Sequence, residues 1–170
     1  MKHTIQMLAA YNRWANRQLY EAALLLSPEE FGRDTGAFFR SMRGTLNHVL
    51  VADTIWMARF TGAEYPRLGL DTILHQEAAV LWQTRQDADR RIIDFVDRCT
   101  DEALGGSFTY TTVTDRRTVT QRLSPALFHF FNHQTHHRGQ AHAILTTLGK
   151  PSVALDLIYF QRTDEGRGFA

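Results

Sequence analysis

Apolar residues recur every three or four positions over four long stretches, the spacing that gathers them on one side of an α-helix. In the first stretch Leu8, Tyr11, Ala15, Leu19, Ala22 and Leu26 form one stripe, which predicts a helix over roughly 3–26. Ser27-Pro28-Glu29-Glu30 then opens a short turn: serine caps, proline takes the first helical position and Glu30 completes a capping box. Asp34-Thr-Gly36 reads as a loop. The second helix starts at the cap candidate Ser41 and stops before Gly62, which suits a left-handed terminus. The third is predicted over roughly 73–99. Leu81, Ala88, Ile92, Phe95 and Cys99 mark its inner face, and Arg85, Asp87, Asp89, Arg90 and Asp94 are expected in solvent. The fourth has Ser124 as cap, Pro125 at the first position, and Gly149 before Lys150-Pro151 as its stop.

Residues 107–122 break this period. Phe108, Tyr110 and Thr112 alternate with Thr109, Thr111 and Val113, 114–117 suit a turn, and Thr118–Gln121 resume, so a small β-hairpin is expected. Thr100-Asp-Glu suggests one more short capped turn. Leu155–Phe160 should pack on something apolar, and 162–170, polar and glycine-containing, should fray. The fold class predicted is all-α: a four-helix bundle with a hairpin near 107–122, in one domain over 1–170.

Bulk properties narrow the function. At 170 residues the chain can bury a core without staples, and a 44% hydrophobic, 22% charged composition is that of a globular protein. A net charge of +1 lacks the basic excess of a nucleic-acid binder. No apolar run approaches a membrane span, and the N-terminus reads as an amphipathic helix rather than a signal peptide. The single cysteine, Cys99, excludes an internal disulfide and reads as a small core hydrophobe. A cytoplasmic protein is expected.

Five of the eight histidines, His129, His133, His136, His137 and His142, fall on the fourth helix. At about 100° per residue, His133 and His137 share the stripe of Ala126, Phe130, Ala141, Ile144 and Leu148. His129 and His136 sit toward its edge, and His142 points roughly the opposite way, to solvent or a subunit contact. Buried imidazoles need partners for their nitrogens. A hydrogen-bonded core pair would supply them. So would a metal ion, for which ligands at i and i+4 on a helix are a geometry that zinc sites use. A third ligand has to come from another helix. His3 lies at a terminus and His75 before the third helix, whereas His48 sits well inside the second, on the face of Thr45, Ala52 and Ile55, and is the best geometric candidate. The site is not a zincin, because Gln134 follows His133 where a general base would stand. It is not a di-iron site either, since no glutamate has a histidine three residues later. Phosphate-binding loops and nucleophile elbows are absent from the sequence.

Three segments then carry a resemblance: Tyr11-Asn-Arg-Trp-Ala-Asn16, Gly44-Thr-Leu-Asn-His48 with Asp53-Thr-Ile-Trp56, and Asn132-His-Gln-Thr-His-His-Arg-Gly-Gln140. Over roughly 5–160 the chain resembles the DinB-like family of bacterial metal-binding four-helix proteins (unrelated to the DNA polymerase of the same label). The resemblance implies His48, His133 and His137 as metal ligands, an up-down-down-up bundle, a homodimer and a bacterial cytosolic origin. The family includes thiol-dependent S-transferases and an isomerase that uses a low-molecular-weight thiol.

Three protein ligands leave a coordination position open, as catalytic sites do. The function expected is therefore a metal-dependent thiol S-transferase joining a low-molecular-weight thiol to a small electrophile. The alternatives are a non-enzymatic metal-binding or stress protein and a metal-dependent hydrolase. The metal is expected to be one divalent ion per chain, zinc or nickel before iron or copper. No catalytic residue is assigned. Arg138 is expected on an exposed face, and Tyr11 and Trp14 in the core.

Overall fold

In a computed structural model of the chain, residues 1–64, 67–113 and 115–170 are described; Tyr65 and Pro66 in the expected long connection and Thr114 in the expected hairpin turn lie outside them. In chain order the elements are α1 (Lys2–Ala23), α2 (Pro28–Gly32), α3 (Met42–Thr61), α4 (Ala78–Arg98), α5 (Asp101–Gly105), β1 (Ser107–Thr111), β2 (Thr118–Arg122), α6 (Leu123–Thr147) and α7 (Leu157–Gln161), with a final 3₁₀ turn at Arg167–Phe169.

Four long helices, α1, α3, α4 and α6, make the bundle, and the contacts between them give its order. Asn12 and Asn16 meet Asp89 while Gln6 reaches Asp97, so α1 and α4 are antiparallel. His48 faces His137 and Trp56 faces His129, so α3 and α6 are antiparallel. Met42, Leu46 and Leu50 pack with Leu81, whereas Phe60 packs on Phe95, so α3 and α4 run parallel. The order is up-down-down-up, and the chain between α3 and α4 has to travel back along the bundle. Most of the caps expected from sequence form. Ser27 and Glu30 close a capping box, Ser41 accepts from the Gly44 N–H at 3.1 Å, Thr100 accepts from Ala103, and Gly62 ends α3 at φ 70°.

Three expectations about the edges of elements are corrected. The third long helix begins at Ala78, five residues later than the periodicity suggested, because 73–77 belong to the connection. α6 begins at Leu123 without a side-chain cap; β2 runs straight into it, and Ser124 is buried inside the first turn rather than capping it. The C-terminus does not fray. Phe160 is fully buried against Tyr11 and Trp14, Phe169 packs beside His3 and Phe160, and Glu165 pairs with Arg13 and Arg17.

The core has a layered chemistry. One apolar cluster holds Leu19, Tyr20, Met42, Leu46, Leu81, Ile144 and Leu145; a second holds Ile5, Ala9, Ile92, Val96, Leu127 and Phe130. Between them lies a polar belt fed by all four long helices. Arg138 donates to Asn12 and Asn16, both asparagines donate to Asp89, Asp89 pairs with Arg85 at 3.0 Å, and Arg85 pairs with Asp53 at 2.5 Å. Arg85, Asp89 and Arg138, each expected in solvent, are therefore interior. Charges and hydrogen-bond partners in the same layer make that burial tolerable.

Candidate metal centre

The three histidines picked out from sequence come together. On α6 one helical turn separates His133 from His137, and α3 brings His48 to the same level from the opposite side. Nε2 of His48 lies 3.1 Å from Nε2 of His137, which lies 3.1 Å from Nε2 of His133. Among the described residues this is the one group of histidine, cysteine and carboxylate side chains whose ligand atoms converge, all within 4.8 Å of one another. Nitrogens about 2.0–2.1 Å from a zinc ion at tetrahedral angles stand roughly 3.3 Å apart, close to the 3.1 Å of the His48–His137 and His137–His133 pairs.

The other ring nitrogens sharpen the case. Nδ1 of His48 lies 2.7 Å from the carbonyl oxygen of Leu70, an atom that can only accept, so Nδ1 carries the proton. Nδ1 of His137 lies 2.7 Å from Oε1 of Gln140, whose amide nitrogen in turn meets His136. With its Nδ1 proton donated to the Leu70 carbonyl, His48 turns an Nε2 lone pair toward Nε2 of His137, 3.1 Å away. Polar partners on the far nitrogens are what metal-bound imidazoles use to fix their orientation. The protonation states agree. Burial lowers the His133 pKa to about 3, aided by His137 and His48. Burial takes His137 to about 4 against the opposing Gln140 bond. It lowers His48 against the opposing Leu70 carbonyl. All three are neutral at pH 7, the form a metal needs.

Residues without a sequence signal complete the site. Phe39 stacks on the His48 ring at 3.8 Å between centroids and meets His137 edge-on at 5.6 Å. Gly44 permits this approach, since a Cβ there would collide with the Phe39 carbonyl oxygen. On the other side of the histidines a cavity of about 360 Å³ is walled by Ile55, Trp56, Val113, Tyr110 and His129. Among the remaining histidines, His129 joins that wall, His136 is exposed and His142 bonds to Ser152 at 2.7 Å. His75 is occupied with Thr84 and Asn47, away from the centre.

A helical bundle with three converging imidazoles, a cavity against them and an ordering contact behind two of them defines a class: a four-helix protein whose three-histidine group could hold a metal ion beside a cavity. The DinB family model matches residues 1–167, and the chain belongs to that family. It is 24% identical over 164 residues to "Protein DinB" of Bacillus subtilis (strain 168), covering 88% of each chain. Among solved structures it resembles a DinB-like protein from Bacillus cereus ATCC 10987, with a TM-score of 0.60 and 17% identity over 83% of this chain and 90% of that one; at this identity the likeness speaks for the fold. No helix among the described residues is long and apolar enough to cross a membrane.

Proposed function

We propose that the chain is a metal-dependent thiol S-transferase. In this reading His48, His133 and His137 hold one divalent ion, zinc or nickel before iron or copper, and a low-molecular-weight thiol enters from the adjoining cavity to meet an electrophile. The observation that carries it is the convergence of the Nε2 atoms of His48, His137 and His133, 3.1 Å between neighbours, beside a cavity. A divalent ion at such a site keeps a coordinated thiol in its nucleophilic thiolate form at neutral pH. The rest falls to the protein's own groups. Leu70 and Gln140 hold two imidazoles in the tautomer that points Nε2 inward. Phe39 shields one side of the His48 ring, and Ile55 and Trp56 provide an apolar wall that limits water beside the sulfur. The proposal includes a homodimer in a reducing cytosol, supported by the likeness to the family and by the single buried cysteine, Cys99.

Cobalt-loaded protein tests this. Cysteine, glutathione and other small thiols, added in turn, should include one that produces a sulfur-to-metal charge-transfer band. The same thiol should be consumed by an electrophile faster with metal-loaded than with metal-free protein. His133→Ala should lose band and rate together. A panel that yields neither band nor turnover would reject the transferase and leave a binding or hydrolytic role.

A further inference from the structure

Two neighbouring residues of α3 hold the chain that leads to α4. Nδ1 of His48 donates to the Leu70 carbonyl oxygen at 2.7 Å. Asn47, one residue earlier, grips His75, five residues further along the connection. Its Oδ1 accepts from the His75 main-chain N–H at 3.0 Å, and its Nδ2 donates to the His75 carbonyl oxygen at 3.0 Å. The other Nδ2 hydrogen goes to the Arg43 carbonyl oxygen, 2.8 Å away and one turn back. Both amide donors and the amide oxygen are thereby used.

Asn47 stands fully buried inside a helix. Asparagine is a poorer helix former than leucine, and its amide costs free energy to bury unless its polar atoms are bonded. A residue serving only the core would be apolar, as Leu46 and Leu50 are. What Asn47 steadies is a stretch with little apolar hold of its own. Gly69, Leu70 and Asp71 are exposed, in a turn closed by the Thr72 N–H on the Gly69 carbonyl oxygen at 3.1 Å. Further on, Leu74 leans on the first apolar cluster, and the His75 ring meets Oγ1 of Thr84 at 2.9 Å. Because Asn47 grips main-chain atoms, it fixes the path of the chain whatever side chain stands at position 75.

We infer that Asn47 is a positioning residue for the metal centre. Its grip on the His75 main chain sets the path of the connection, and that path brings the Leu70 carbonyl to Nδ1 of His48. The contact keeps the proton on Nδ1 and the lone pair on Nε2; with the proton on Nε2 instead, that atom has nothing to offer a metal. The inference rests on the reading of His48 as a metal ligand.

The test uses zinc alone as the probe, with affinity read by competition against a chromophoric chelator. Asn47→Ser keeps a hydroxyl for the Arg43 carbonyl and loses the reach to His75. It should bind zinc roughly ten- to a hundredfold more weakly than wild type. His75→Ala, which keeps the gripped main-chain atoms, should bind zinc as wild type does. A loss in His75→Ala as large as in Asn47→Ser places the hold in the Thr84 contact and overturns the inference. Nitrogen-15 spectra of metal-free protein should find the His48 proton on Nδ1 in wild type and a mixture of tautomers in folded Asn47→Ser. A variant that is merely less stable keeps the wild-type tautomer, and that result, or zinc affinity unchanged despite a shifted tautomer, overturns the inference. Should Asn47→Ser fail to fold, wild type decides. Coupling between two sites is reciprocal, so zinc should slow hydrogen exchange at the His75 amide more than at the Leu104 amide, which bonds to Thr100 far from this contact. Equal slowing at both overturns it. A wild-type protein that holds no zinc overturns the metal centre instead, and the nitrogen-15 comparison still decides the role of Asn47.

Discussion

Nη1 of Arg85 and Oδ2 of Asp53 meet at 2.5 Å, 32 residues apart in sequence, where the two side chains keep 1% and 2% of their exposure. The pair joins α4 to α3 in the belt between the two apolar clusters. Breaking one side of such a pair leaves the other charge buried alone. Asp53→Ala should therefore lower stability by about 3–5 kcal/mol, read from urea unfolding. Asp53→Leu combined with Arg85→Met should recover only part of that loss, because Arg85 also pairs with the buried Asp89, which the double variant leaves to Asn12 and Asn16. A double variant as unstable as the single one would show that the belt is stabilised by more than this pair.

Metal loading gives the second prediction. Wild-type protein, stripped and reloaded, should hold about one divalent ion per chain, and the triple alanine variant at His48, His133 and His137 should hold none by elemental analysis. His142→Ala should load as wild type does, since His142 bonds to Ser152 away from the converging nitrogens.

The metal-free protein should lose stability in mild acid. Burial lowers His133 to about 3 and His137 to about 4, below the ordinary imidazole value of about 6.5 expected in the unfolded chain. Between those values the unfolded chain binds protons that the folded chain refuses, so stability falls as pH drops from about 6.5 toward 4. The contribution is intact above pH 6.5. The urea midpoint of metal-free protein should accordingly decrease from pH 7 to pH 5. It should decrease less in His133→Ala, and equal slopes in the two proteins would contradict the origin assigned here.

Gly44→Ala supplies a fourth test. The added methyl group collides with the Phe39 carbonyl oxygen and forces the segment before α3 away from the bundle, at a cost of about 1–3 kcal/mol. Phe39 should then lift from His48, so cobalt bound in the variant should show shifted visible bands even where its amount is unchanged.

How much of this was legible in sequence depended on what each residue type does to the apolar pattern. His133 and His137 stood out because they interrupt an apolar stripe at one-turn spacing, and a buried imidazole needs a reason. His48 followed from its small neighbours, and the bundle from the four periodic stretches. Arg85 is interior although its charge predicts an exposed face. It lies four residues after Leu81 and three before Ala88, both interior, so its place on the helix puts it in the inner stripe whatever its charge. Arg138 follows the same rule, four residues after Gln134 and three before Ala141, both interior. Pairing decides whether a charge can be buried, and most of the partners come from other helices: Asp53 on α3 joins Asp89 of its own helix in pairing Arg85, and Asn12 and Asn16 on α1 meet Arg138. The Leu70 carbonyl had no signal at all, since main-chain atoms are identical at every position.

That last contact separates what evolution can alter easily from what it cannot. The group orienting His48 is supplied by the peptide backbone, so replacing the exposed Leu70 side chain leaves the orienting atom in place. A deletion or insertion between α3 and α4 would move the carbonyl without touching any ligand. Across homologous chains the spelling of this connection is thus free to drift while its path past His48 is held, and an inactive relative could keep all three histidines yet differ only in the length of the chain that joins two helices.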